Sequence, residues 1–317
     1  MRLGVMLRRE VPPERTAGYA AAVERLGYAE LWVVEDCFYA GGIAAGAVAL
    51  AVTSTITVGL GVLPAVMRNP ATTALEVAAL ARMFPGRLRP GLGHGVTDWM
   101  RQIGALPSSQ LAALEETTVA LRALLRGETV TAHGRHVDLG AVALEFPPAV
   151  VPPVALGVRG PRSLELCGRV ADGTVLTELS VPSYVRWARE RVDAGRAAAG
   201  RTDPHDVTVY AFWSPDPDAL RPLVAAGLRS GAVDGQLGDL APAVAALREA
   251  HADDVALAAA LPADLLGAVT VSGPPAARRE RLAALADAGA DAVVLIPAAD
   301  DPDAALAALA GATELHS

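Results

Sequence analysis

Short apolar runs alternate along the chain with longer stretches in which apolar positions recur every three or four residues. The short runs are Leu3–Leu7, Leu31–Glu35, Ile56–Leu63, Arg87–Gly93, Val154–Val158, Thr174–Thr177, Val207–Trp213 and Ala292–Pro297. They have the length and near-continuous apolarity of strands buried on both faces. Between them, helical periodicity covers Pro13–Leu26, Ile43–Thr53, Pro70–Met83, Ser109–Leu125, Pro161–Val170, Pro182–Ala199 and Pro275–Ala288. Eight strands separated by helices predict a (β/α)8 barrel. Helix starts are marked locally. Asn69 precedes Pro70 as an N-cap before a proline, and Gly160-Pro161 repeats the proline device.

Two stretches break the alternation. Glu128–Leu139, inside an insertion at about 127–152, alternates around His133-Gly134 and predicts a hairpin. A second insertion, 237–266, is alanine-rich and predicts helix. No Pro/Gly/Ser-rich linker and no internal repeat divides the sequence, so the expectation is one domain over 1–317.

Composition narrows the function. A length of 317 residues at 52% apolar content can bury a large core. The net charge of −8 argues against a nucleic-acid partner, because neutralising phosphates requires a basic face. All 27 basic residues are arginine, which excludes chemistry that needs a lysine amine. Cys37 and Cys167 offer neither a disulfide framework nor metal spacing, and a reducing cytoplasm is expected. Residues 37–67 carry no charge, but Thr53-Ser54-Thr55, the glycines at 59 and 61 and Pro64 interrupt them well short of the roughly 20 residues of a spanning helix. No membrane association is expected.

In such a barrel the chemistry sits at the C-terminal ends of the strands. The candidates are therefore the polar and glycine-rich residues just beyond each run. Asp36 follows the second strand, and Arg68 lies beyond the third. Gly91-Leu-Gly-His-Gly95 ends the fourth and permits close backbone approach to a flat ligand, with Gly93 and His94 inside it. His94 can hydrogen-bond a ring or donate a proton. Trp99 is a candidate wall of the same pocket. Gly157-Val158-Arg159-Gly160 precedes a proline-led helix, whose N–H groups and dipole favour an anion, and Arg159 can add a charge-assisted bond. His133 and His136 are expected in solvent rather than on a metal.

The order LWVVEDCF, ITVGLGVLP, GLGHGVT and VALGVRGPRSLELCGRVADGTVL resembles the bacterial luciferase-like family of flavin- and deazaflavin-dependent oxidoreductases, most of all its F420-dependent methylenetetrahydromethanopterin reductase-like branch. The resemblance implies a hydride transfer between coenzyme F420 and an organic substrate. It implies a bulge, with a non-proline cis peptide, at Gly61-Val62 behind the ring, and a phosphate held at Gly157–Gly160. It implies Asp36 near the ring, although Cys37 stands where relatives often have histidine. Val96 stands near the place of a catalytic glutamate in the sugar-phosphate enzymes of that branch. The alternatives are an FMN-dependent monooxygenase supplied by a flavin reductase, and a barrel that binds such a ligand without turnover. Gly41–Val52 lacks a polar face, and dimerisation through it is expected.

Overall fold

The computed structural model describes residues 1–312; the last five residues of the expected domain lie outside the described part. Eleven strands form: β1 (Arg2–Leu7), β2 (Glu30–Val33), β3 (Thr57–Pro64), β4 (Leu88–Gly93), β5 (Val130–His133), β6 (Asp138–Val142), β7 (Ala155–Gly157), β8 (Gly173–Leu176), β9 (Asp206–Ser214), β10 (Val271–Ser272) and β11 (Ala292–Pro297). Eight of them pair in parallel in the cyclic order β1, β2, β3, β4, β7, β8, β9, β11. Closure runs through Gly173 opposite Asp206 to Leu176 opposite Val209, and β11 returns to β1 with Arg2 opposite Ala292. The result is the (β/α)8 barrel, with β10 as a two-residue addition beside β9.

The staves are buried on both faces because helices cover the outside and side chains fill the inside. β2, β8 and β11 are buried at every position. Trp32 and Trp213 are the largest fully buried side chains. β3 and β4 lose register between Leu60 and Leu63, where β3 bulges.

The hairpin forms as β5 and β6, antiparallel, and the Glu116 carboxylate anchors its turn by accepting from the N–H groups of Arg135, His136 and Val137 at 3.1, 2.7 and 2.9 Å. The second insertion contains the helices Ala241–Ala250, Asp254–Ala260 and Ala263–Val269. Three further helices, Thr97–Gln102, Arg221–Arg229 and Pro302–Ala310, were not anticipated from periodicity; at six to nine residues they are too short to display it. No helix of the described residues is long and apolar enough to cross a membrane.

Candidate functional site

The candidates converge on the C-terminal mouth of the barrel. β3 reaches it with a cis peptide between Gly61 and Val62, at the position the resemblance implied. Gly61 faces the barrel interior, where a Cβ would lie 1.9 Å from the Tyr210 hydroxyl and 2.4 Å from the Trp32 ring. The Tyr210 hydroxyl instead donates to the Gly61 carbonyl at 3.2 Å and stands edge-on to Trp32. The Val62 side chain takes the space that Gly93 and Gly157 leave empty; a Cβ on either would meet it at 2.5 or 2.8 Å. The spaced glycines therefore admit a neighbouring strand's side chain, where the sequence had suggested room for a ligand.

His94 follows β4 and is half-buried. Its Nε2 lies 3.2 Å from Ser163 Oγ, which the helix Pro161–Val170 presents from its first turn. Its Nδ1 is buried without a partner among the described residues. Burial lowers the imidazole pKa below its ordinary value; the Gln110 backbone opposes this and the Arg159 charge adds to it. The ring is thus neutral at physiological pH.

Gly160 is the N-cap of that helix, in extended backbone and with no side chain capping it. Pro161 has no N–H to lose, so the first-turn donors remain directed outward. A Cβ at Gly160 would have nothing within 4 Å, so the space in front of this helix end is open. Val158 is buried, and Arg159 is exposed with one bond to the Ala232 carbonyl at 3.3 Å. The Tyr184 hydroxyl fixes the turn by donating to the Arg159 carbonyl at 2.8 Å.

Asp36 is half-buried and accepts from Arg9 at 2.8 Å. Arg9, absent from the sequence reading, also stacks over Tyr39 at 5.2 Å and Trp99 at 5.9 Å. Cys37 is buried, its thiol pushed up by desolvation and by the neighbouring Glu35 and Asp36, which makes it a poor substitute for a histidine base. Arg68 is committed elsewhere, as a fork on the buried Glu35 at 2.5 and 2.6 Å. His133 is exposed beside Asp138, but His136 is half-buried with a buried Nε2, so only the first matches the solvent expectation. Among the described residues no group of three or more His, Cys, Asp or Glu is placed to hold a metal.

One carboxyl at the mouth had escaped the sequence reading. Glu178 lies two residues beyond β8, after Thr177, and precedes Leu179, a buried leucine at φ +66°. A bulky residue in that region is an outlier costing on the order of 1–2 kcal/mol, and such residues cluster at functional sites. A polar residue one step past a predicted barrel strand was the signal available.

A closed parallel barrel whose glycine-rich and polar residues gather at the C-terminal mouth is the architecture of α/β-barrel enzymes. Residues 1–292 match the family described as luciferase-like monooxygenase, and the chain belongs to that family. It is 33% identical over 229 residues to the 5,10-methylenetetrahydromethanopterin reductase of Methanolobus tindarius, covering 71% of this chain and 69% of the relative. The coenzyme F420 dependent tetrahydromethanopterin reductase of Methanopyrus kandleri superposes with a TM-score of 0.82 at 20% identity over 99% of both chains. The oxygenating constituent of 3,6-diketocamphane monooxygenase from Pseudomonas putida, in complex with FMN, superposes with a TM-score of 0.73 at 17% identity over 100% of this chain and 97% of the other.

Proposed function

We propose that this protein is an F420-dependent oxidoreductase that moves a hydride between the deazaflavin and an organic substrate. The observation that carries the reading is the open, uncapped helix end at Gly160, set next to the His94–Ser163 pair. The orphaned Nδ1 of His94 and the open space before Gly160 fit a phosphate-bearing ring cofactor. When bound, the deazaflavin supplies the two-electron hydride chemistry. The protein's own part is orientation and exclusion of water.

Gly157, Val158, Arg159 and Gly160 would hold the phosphate, through backbone donors and one guanidinium. Gly61, Val62 and Gly93 would border the ring. His94, neutral and tethered to Ser163, offers a hydrogen bond at fixed position. Asp36, held by Arg9, brings a carboxylate to the same mouth. The similarity to a methylenetetrahydromethanopterin reductase over most of the chain supports F420.

The FMN-bound neighbour supports a second reading, an FMN-dependent monooxygenase fed by a flavin reductase. Native mass spectrometry with F420 and FMN offered together separates the two. Retention of F420, and no hydrogen peroxide on aeration of the reduced complex, is the expected result. Retention of FMN with peroxide release would replace the first reading by the second.

We further place the protein in the cytoplasm, where Cys37 and Cys167 stay free, and assign it a homodimer through the helix Gly42–Val52, which exposes Val48 and Val52. Light scattering at micromolar concentration checks the dimer, and a monomer there would remove it.

A further inference from the structure

Resting on the hydride-transfer reading, we propose that Glu178 is the residue that exchanges a proton with the substrate, and that Gln236 is its positioning residue. Glu178 stands two residues beyond the C-terminal end of β8, at the mouth. Three charged residues make themselves felt at its carboxyl: Arg159 after β7, Asp36 after β2 and Arg9 after β1. The Tyr210 phenol of β9 senses Glu178 in turn. Those neighbours all stand on other staves of the barrel, so the carboxyl belongs to the mouth and not to the outer surface.

That carboxyl has no partner among the described residues beyond its own backbone N–H, whereas Asp36, Arg9 and Glu35 are all engaged. Its place is nonetheless tightly fixed. Gln236 is 1% exposed, and its Nε2 donates to the Glu178 carbonyl at 3.0 Å, to Thr177 Oγ1 at 3.0 Å and to Ser180 Oγ at 3.1 Å. The Gln236 carbonyl accepts from the Val181 N–H at 3.1 Å. A buried amide devoted to one turn, beside a leucine in left-handed backbone, is a built support for the single free carboxyl it carries.

The chemistry divides between two groups with opposite tendencies. Burial raises the pKa of Glu178 above the usual carboxylate range, with Asp36 adding to it, and Arg159 and Arg9 opposing. Burial lowers that of His94. The two environments push in opposite senses, toward the protonated form of Glu178 and the neutral form of His94, which makes Glu178 the better acid of the two. In the reduction of a carbonyl, the deazaflavin, when bound, would supply the hydride, with both electrons, to the carbon. The π pair moves to the oxygen, which takes the proton from Glu178. The glutamate is left as carboxylate and is reprotonated from solvent; oxidation runs the same steps in reverse.

Two measurements test this. Infrared titration of protein carrying 13C-labelled glutamate should show one carboxyl titrating above the ordinary glutamate range that is missing in Glu178→Gln. Identical spectra would overturn the proposal. With reduced F420 and a panel of small ketones, Glu178→Gln should lose roughly 10²–10⁴-fold in hydride-transfer rate and lose the alkaline fall in rate. Glu178→Asp should keep that fall, and Gln236→Leu should displace it. An unchanged rate and pH profile in Glu178→Gln would overturn the proposal too. Should the wild type fail to retain F420 in native mass spectrometry, the hydride-transfer reading falls, and the infrared comparison still decides the state of Glu178.

Discussion

The two ends of the barrel treat charge in different ways. At the N-terminal end, Glu30 of β2 is buried and satisfied on both oxygens, by Arg2 Nε at 2.7 Å and Trp32 Nε1 at 2.7 Å. Arg2 and Arg89 both reach Asp206, at 3.0 and 2.5 Å, so staves β1, β2, β4 and β9 are linked by one closed network. Burial alone would raise the Asp206 pKa, yet Arg89 and Arg2 outweigh it and hold that carboxyl below its ordinary value. At the C-terminal end, Glu178 is unpaired, His94 Nδ1 is orphaned and the Gly160 helix end is uncapped. The mouth thus holds both closed pairs, Arg9–Asp36 and Arg68–Glu35, and a few open groups that a ligand would complete. Such open groups lower stability in the free protein and are retained for function.

The largest expected effect breaks the closed end. Glu30→Ala leaves the buried Trp32 N–H without an acceptor while Arg2 keeps Asp206, and an unsatisfied buried donor costs about 1–3 kcal/mol. Urea unfolding should show this loss, with F420 affinity per folded molecule unchanged. Glu178→Gln should by contrast leave stability unaltered or slightly higher, because no partner is lost. A smaller effect sharpens the open end. His94→Ala removes a fixed hydrogen bond and should slow hydride transfer on the order of 10- to 100-fold, since misplacement of reacting groups has that scale. F420 affinity should hold in a titration. An unchanged turnover number would return His94 to packing.

The smallest effect at neutral pH lies at the closed end, beside Asp206. His205 is bonded through Nε2 to Thr174 Oγ1 at 2.8 Å, and burial, with Arg196, Arg189 and Arg201 nearby, lowers its pKa to about 4. Between there and the ordinary value near 6.5, the unfolded chain binds the proton and the folded one does not. Stability is therefore complete above about pH 6.5 and falls as the pH drops toward 4. His205→Gln should flatten that slope in a series of thermal melts.

Much of the frame was legible because a buried parallel strand is a short apolar run, and each of the eight runs fell within a residue or two of its stave. Asn69 acts as the cap read from Asn69-Pro70, accepting from the Ala71 N–H at 2.9 Å. The site was legible in position more than in contacts. Alternate glycines at Gly91–Gly95 disclosed missing side chains but not that Val62 would occupy the gap. Arg68 looked free because its partner Glu35 lies 33 residues away in sequence. Gln236 gave no signal, since a lone glutamine in a turn becomes a clamp only once the barrel brings Ser180 and Thr177 to it. The cis peptide at Gly61-Val62 came from resemblance, as no residue pattern specifies one.

The reading of the open end as a cofactor site is tested most directly at Gly160. A side chain there meets nothing within 4 Å, so Gly160→Asp should fold normally while placing a negative charge where a phosphate would bind. A lost charged hydrogen bond costs about 1.5–3 kcal/mol, on the order of 10- to 100-fold in affinity. Fluorescence titration should therefore show F420 and FMN weakened alike, with the circular dichroism of the wild type. Unchanged affinity in a folded Gly160→Asp protein would place the anion elsewhere and contradict the account.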